Sequence, residues 1–502
     1  MHRIGGNMSN RFLVVPTIGL WKSLATDSSF VFMMNTVRRL IARGNYAYVV
    51  LPRDIDMENV PKIPGVMYFV CDVPARALDT QMGIVDQAFI SNTFGFQYGK
   101  YVVDAGIVLH GSQVLPLKAA VHPRGPFDCF PVFCLEQGVS WIDTAPGYEP
   151  GRYDEELMIL GASYSYLCCV SKKDLGSSLE KARHFNLSHQ QFNILRENAF
   201  AGAAPVDVPL MQSIAAETKK NDTTTLLYAA RTNKTKHPED IVEIFDALYK
   251  QNEPINITYV TQTSPLKFDV ITKRRHLFDE RGYIEPRTSC GPMDFYKEAA
   301  KSHVYLCWSD SESFNASAVE ASLLGCVYMC HDTKPHRDLY DGDLGGDVFW
   351  LRDKVDAIEK VRWVIHHYEE AYKMQAPLRQ KFLDRQIEGD LSKHIHEKTI
   401  EFHRANVKGT PGKLYYYKLA ESAELTKIID GCLSNWADET IGLEDVLVSL
   451  ESHGDAFSTD NLYRAISRVM PVNWNLHQMM KLHYNLLDTC DSRYPRYRIK
   501  ND

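Results

Sequence analysis

The chain has 502 residues, too many for one ordinary hydrophobic core, so two or three domains are expected. Hydrophobic residues at 45% and charged residues at 24% fit a globular protein. The formal net charge of −7 excludes a protein coated in basic surface, so any contact with nucleic acid has to come from a local patch.

Residues 12–15 read as a short buried strand ending at Pro16. A polar loop through Lys22 and Asp27 follows, then an apolar-periodic helix over about 30–43 that Gly44 stops, where a C′ glycine belongs. Residues 46–52 read as a second strand, which completes the opening of a βαβ fold. Further short apolar strands are expected at 66–73, 87–91, 131–135 and 166–170. After the polar run Lys219-Lys220-Asn221-Asp222 a second series begins, with strands at 224–229, 256–261, 303–308 and 327–330 and helices at 238–250, 295–301 and 316–324. The reading is α/β: two doubly wound lobes, 1–218 and 219–409, with a ligand site at the carboxyl ends of the strands. From about Thr410 only helical patterns remain. Leu443, Val446, Leu447 and Leu450 form one apolar stripe, and Ser458 is placed to cap the next helix, so 410–502 is expected to be a helical appendage.

Apart from the adjacent Cys168-Cys169, the eleven cysteines fall as isolated residues, Cys307 and Cys330 among them, and no CxxC pair occurs. They read as buried reduced thiols, with no metal site expected from their spacing. The N-terminus lacks a signal-peptide pattern and no run is long enough to span a bilayer. A cytoplasmic protein without integral membrane association is the expectation.

The chemistry concentrates in the second lobe. Arg231 and Lys236 follow the strand at 224–229 and precede a helix, so two cations can straddle a diphosphate in front of a positive helix end. Cations before a helix are also common as solvated surface groups. Glu312 lies in the loop after the strand at 303–308, and Glu320 lies two turns into the following helix. The helix start at Ser313, Phe314, Asn315 and Ala316 offers free backbone N–H groups to phosphate oxygens. The bland alternatives are a charge at the helix start for Glu312 and a solvated helix position for Glu320. Against the latter, Glu320 sits among Ala318, Val319 and Ala321, where an unpaired carboxylate is costly.

The spacing of Glu312 and Glu320, with small residues and Gly325 after them, resembles the paired-glutamate motif of family-4 retaining glycosyltransferases of the GT-B fold. Arg231 and Lys236 match that family's diphosphate-binding pair. The resemblance implies a nucleotide-sugar donor, UDP- or GDP-linked, with its diphosphate on Arg231 and Lys236, its sugar at Glu312 and its ribose at Glu320. It places nucleobase contacts in the segment that holds Tyr283 and Arg287, and it implies no obligatory metal. Two departures stand out: His237 replaces the glycine that usually follows the lysine, and the first loop lacks the usual glycine pair.

The first lobe is expected to supply the acceptor side, through Asn92, Glu136-Gln137 and Ser171-Lys172-Lys173. Glu136-Gln137 stands where related enzymes carry a His-Asp-like pair, which leaves His110 as the alternative base or as a structural histidine. The terminal run Arg493-Tyr494-Pro495-Arg496-Tyr497-Arg498 interleaves aromatics with cations, and from Asn461 onward seven Lys/Arg face three Asp/Glu. Such a run can neutralise phosphates while tyrosines stack on bases, or it can be a solvated tail. The first lobe's layout is also similar to that of phage DNA glucosyltransferases, which makes a 5-hydroxymethylated pyrimidine in DNA one candidate acceptor. A glycan or lipid acceptor, and a non-catalytic nucleic-acid-binding or assembly role on the same fold, are the alternatives.

Overall fold

The computed structural model describes residues 9–16, 24, 27–52, 55–70, 103–114, 117–118, 130–136, 159, 161–184, 189–230, 234–261, 272–278, 283–288, 290–310, 312–407, 457–458 and 496–497. The first lobe is built on β1 (Arg11–Val15), β2 (Tyr46–Leu51), β3 (Val66–Val70), β4 (Ala105–Val108), β5 (Val132–Glu136), β6 (Tyr166–Cys169) and β7 (Phe200–Ala201). These pair in the order β3-β2-β1-β4-β5-β6-β7, every pair parallel. Alternate residues feed two cores: Phe12, Val14, Ile107 and Phe133 pack on one face, Leu13, Val15, Val108 and Val132 on the other. A parallel sheet covered on both faces accounts for the near-continuous apolar runs that mark its strands.

Helix α1 (Ser28–Ala42) begins where the Asp27 carboxylate accepts the N–H of Phe30 at 2.8 Å. It ends at Gly44, whose φ of 83° and N–H bond to the Ile41 carbonyl at 2.8 Å match the expected glycine stop. Helices α2 (Lys172–His184) and α3 (His189–Glu197) follow β6. The hydroxyl of Ser171 receives the Asp174 N–H at 3.1 Å and donates to its carboxylate at 2.9 Å, so this residue starts α2.

Helix α4 (Val208–Glu217) leads into the second lobe and packs against two of its helices. That lobe comprises β8 (Thr224–Ala229), α5 (Pro238–Lys250), β9 (Ile255–Thr261), β10 (Ile284–Thr288), α6 (Pro292–Lys301), β11 (Val304–Cys307), α7 (Ala316–Leu323), β12 (Val327–His331), α8 (Lys334–Leu339), β13 (Trp350–Leu351) and α9 (Lys354–His366). The sheet order β10-β9-β8-β11-β12-β13 repeats the first lobe's pattern, again fully parallel. In both sheets the order reverses between the first strand and the fourth, which opens a crevice at the carboxyl ends of β1 and β4 and of β8 and β11. After α10 (Tyr368–Met374) and α11 (Ala376–Glu388), the chain returns to the first lobe through α12 (Leu391–Val407), which packs on α1.

The return crossing is closely knit. Ala203 N–H reaches the Gly389 carbonyl at 2.8 Å. Gln386 joins the Val206 N–H at 2.9 Å and the Ala204 carbonyl at 3.0 Å. From α1, Arg39 donates to Gln386 at 2.8 Å, and Arg43 pairs with Asp390 at 2.5 Å. Further along, His403 meets the Asp104 carbonyl at 2.8 Å.

The two-lobed architecture follows the sequence reading, with differences in detail. Strands β4, β7, β10 and β13 and helices α2 to α4 and α8 to α12 had no counterpart in the strand and helix assignments. The expected strand at 87–91 lies outside the described residues, as does most of 410–502. Within that stretch Ser458 belongs to a two-residue strand, β14 (Phe457–Ser458), paired antiparallel with β15 (Arg496–Tyr497), and the helix it was expected to cap lies outside the described residues. No helix among the described residues is long and apolar enough to cross a membrane.

Candidate functional site at the switch point of the second sheet

The loops after β8 and β11 meet where the strand order reverses. Between β8 and α5 the chain makes one 3₁₀ turn, Lys234–Lys236, anchored when the Tyr228 hydroxyl donates to the Lys236 carbonyl at 3.0 Å. After β11, Asp310 N–H binds the Thr235 carbonyl at 3.1 Å, tying the two loops together. Lys236 then forms an ion pair with Glu312, and each side chain is about one-fifth exposed, at 18% and 22%. Ser309 donates to the same Glu312 oxygen at 3.0 Å. The structure thus joins Lys236 and Glu312 directly, while Arg231 lies outside the described residues.

His237 explains one departure from the family pattern. Its φ of 41° places it in the left-handed region, where glycine is usual. Its ring Nε2 lies 2.6 Å from Asp310 Oδ1, an interaction that offsets the backbone cost and fixes the junction to α5.

Asn315 starts α7 with a φ of 55°, and its side-chain oxygen accepts the Ala318 N–H at 3.2 Å. Asparagine tolerates this conformation better than most residues. Phe314 is buried and Ala316 exposed at the start of α7, which follows Glu312 closely in the chain. Ser313 lies between them and is half-buried. One and a half turns on, Glu320 accepts a hydrogen bond from the Tyr296 hydroxyl of α6 at 2.9 Å. Burial pushes the Glu320 carboxyl up to about 7, against the downward pull of that bond. Part of its surface is still open, so the desolvation is less than complete. Tyr296 is raised as well, by burial first and then by the neighbouring carboxylate.

Beneath the Glu312 loop lies a polar cluster that chain spacing concealed. Cys307 and Cys330 face each other in the β11–β12 register, and His336 of α8 completes a buried trio whose ligand atoms lie within 4.8 Å of one another. Asn315 donates to the Cys307 sulfur at 3.2 Å. The Cys307 thiol is held well below the usual range, first by its hydrogen bond with Cys330, which prevails over its burial. Trp308 stacks on His331 at 4.4 Å and roofs this end of the sheet.

The proposed nucleobase residues are not brought together here. Tyr283 precedes β10, at the amino-terminal end of a parallel sheet, and its hydroxyl lies 3.5 Å from the Glu253 carbonyl, before β9 begins. That is the end opposite the Lys236–Glu312 pair. Arg287 is one residue from the carboxyl end of β10 and is engaged by Glu285 at 2.8 Å and Glu298 at 3.6 Å.

On the first lobe, His110 follows β4 and begins a 3₁₀ turn, Gly111–Gln113. Its ring is buried, and its backbone N–H and that of Leu109 donate to the Gln113 side chain at 3.1 and 2.9 Å. Glu136 ends β5, with its backbone described and its side chain not. Asn92, Gln137, Arg493, Tyr494 and Arg498 lie outside the described residues; Arg496 and Tyr497 form β15. Lys173, at the start of α2, reaches the second-lobe site from the first lobe: its Nζ donates to the Glu312 carbonyl at 3.2 Å.

Neither a comparison with protein-family models nor one with curated protein sequences finds a match. Among solved structures, the chain is similar to a sucrose-phosphate synthase from Thermosynechococcus elongatus, with 10% identity, a TM-score of 0.58, and coverage of 80% of this chain and 100% of that one. It is similar to an α,α-trehalose 6-phosphate synthase from Burkholderia multivorans, with 9% identity, a TM-score of 0.54, and coverage of 80% and 100%. Anabaena HepE in complex with UDP and glucose matches with 11% identity, a TM-score of 0.51, and coverage of 79% and 100%. At such identities the likeness is one of fold, and the chain therefore has the GT-B fold of these glycosyltransferases: two doubly wound lobes with the facing crevices found above.

Proposed function

We propose that the chain is a retaining glycosyltransferase that moves a sugar from a UDP- or GDP-linked donor to a hydroxyl acceptor. The observation that carries this reading is the Lys236–Glu312 ion pair in front of the α7 amides, at the switch point of a GT-B second lobe. A donor diphosphate can take over Lys236 as its cation, with Arg231 as the second, while the free amides of α7 add their partial positive charge. Glu312 then meets the sugar and Glu320 the ribose. As the bond from sugar to diphosphate breaks, negative charge grows on the leaving group, and the fixed cations and amides stabilise it. Attack from the same face needs no protein nucleophile, and a leaving-group oxygen can receive the acceptor proton.

The acceptor in this reading is a 5-hydroxymethylated pyrimidine in DNA, turned out of the duplex to enter the crevice. Its support is the basic, aromatic run Arg493–Arg498 in a chain that is otherwise acidic. The HepE structure is a complex with UDP and glucose, which makes UDP-sugars the first donors to test.

The test is incubation with UDP- and GDP-sugars and with duplexes carrying plain or hydroxymethylated pyrimidines, followed by nucleoside mass spectrometry. A nucleoside heavier by one sugar, absent with Glu312→Ala, is the expected result. Donor-dependent nucleotide release without a modified nucleoside removes the DNA acceptor and directs the search to glycan or lipid alcohols. Neither product nor release, with DNA still bound, favours the non-catalytic reading.

A further inference from the structure

The hydrogen bonds beneath the Glu312 loop aim an imidazole lone pair at two sulfurs. Thr333 donates its one hydroxyl proton to the Asp310 carbonyl at 2.9 Å, so it cannot also donate to His336 Nδ1, 3.0 Å away. His336 Nδ1 also lies 2.9 Å from the His331 carbonyl, which can only accept. The ring proton therefore sits on Nδ1, and the Nε2 lone pair faces the two sulfurs. Ser309 is 3.2 Å from Nε2, but its single proton goes to the Glu312 carboxylate at 3.0 Å. Asn315 points an N–H donor at the Cys307 sulfur, the arrangement that suits a thiolate.

We propose that Cys307, Cys330 and His336 bind a thiophilic divalent cation of the zinc class, with the Ser309 hydroxyl oxygen as the fourth corner of a tetrahedron. The ligand chemistry is that of structural zinc sites, with two sulfurs and one imidazole. The His331 carbonyl holds the ring from behind, as carbonyls and carboxylates do for metal-bound histidines. Ser309 stands 3.4 Å from Cys307 Sγ and 3.2 Å from His336 Nε2, within reach of a common centre. All four side chains are buried: Cys330 and His336 are 0% exposed, Ser309 1% and Cys307 6%. Both sulfurs bind as thiolates, any proton they carry leaves to solvent, and two metal–sulfur bonds and one metal–nitrogen bond form with no change of oxidation state. The ion ties together β11, β12 and α8, and through Ser309 it sets the height of Glu312. Its role is to position the loop, and it does not touch the reacting atoms.

The test needs no sugar donor, so it stands or falls apart from the proposed reaction. The full-length protein, reduced and freed of metal with a chelator, is titrated with Co2+ and then with Zn2+. One equivalent of Co2+ should produce a sulfur-to-cobalt charge-transfer band and the visible absorption of a tetrahedral site, both erased by Zn2+. Cys330→Ser should weaken the charge-transfer band and lower affinity at least about tenfold, by the scale of losses at such sites. Cys290→Ser, which removes a half-buried thiol outside the cluster, should change nothing. If Cys330→Ser does not fold by circular dichroism, His336→Gln decides, through loss of affinity with both sulfurs retained. A folded, reduced wild type that shows no band overturns the proposal. So does a band lost with Cys290→Ser and kept with Cys330→Ser, or an intact mass that shows Cys307 and Cys330 joined as a disulfide with no metal bound.

Discussion

Replacing Glu320 with glutamine should stabilise the protein in alkaline solution while it weakens nucleotide binding. Burial raises the Glu320 carboxyl from its ordinary 4.5 to about 7. Between these values the unfolded chain has released the proton and the folded chain still holds it. Stability therefore falls as pH rises through that window and levels off above it. A shift of this size corresponds to about 3 kcal/mol for a fully desolvated group. Glu320 keeps part of its surface open, so the penalty above pH 7 reduces to roughly 1–2 kcal/mol. Glu320→Gln keeps an oxygen to accept from Tyr296 and removes the ionisable group. Its melting temperature should exceed the wild type's by about 3–6 °C near pH 8.5 and match it near pH 4.5, by the scale for a lobe of this size. Differential scanning fluorimetry across pH measures the first effect, and calorimetric titration with UDP and GDP measures the second. A variant no more stable than wild type at high pH, or equally stabilised at low pH, would refute the assignment of a buried, proton-holding carboxyl to Glu320.

Three further substitutions address the crevice and the crossing. Lys236→Ala removes the Glu312 ion pair and should cost about 10²–10³ in kcat for donor turnover, as loss of one preorganised charge-stabilising group does; retained turnover would exclude Lys236 from the site. Lys173→Ala deletes the contact with the Glu312 carbonyl and should cost about 0.5–1.5 kcal/mol in thermal denaturation; an unchanged melting temperature would show that the contact adds nothing to stability. Gly389→Ala would put a Cβ 2.8 Å from both the Ala203 nitrogen and the Arg385 carbonyl oxygen. Because these are backbone atoms, the crossing has to shift, at about 1–3 kcal/mol in thermal denaturation.

Most strands with both faces buried were legible, with β4 (Ala105–Val108) an exception. Thr224–Ala229 and the helix Pro238–Lys250 match the sequence reading residue for residue, because unbroken apolar runs and a leading proline leave few alternatives. Strand β10 was missed because it is an edge strand: Ile284-Glu-Pro-Arg-Thr288 pairs on one side only and so tolerates proline and charge. The same segment drew a nucleobase assignment, and parallel register places Tyr283 at the far end of the sheet. Lys236 and Glu312 were readable because each follows a strand that the pattern reveals. Lys173 and the Cys307–Cys330–His336 trio were not, because their proximity depends on lobe packing and strand order, which chain spacing does not encode.

The return crossing has a mechanical consequence. The chain leaves the first lobe through residues 202–207 and comes back through 386–390, and the two passages lie side by side, bonded from Ala203 to Gly389 and from Val206 to Gln386. The lobes are thus joined like a door on two pins set side by side, so that sliding one passage past the other would break the bonds between them. A protease cut in the polar run at 218–223 severs one pin only. The fragments should still elute together in native gel filtration and part only in denaturant.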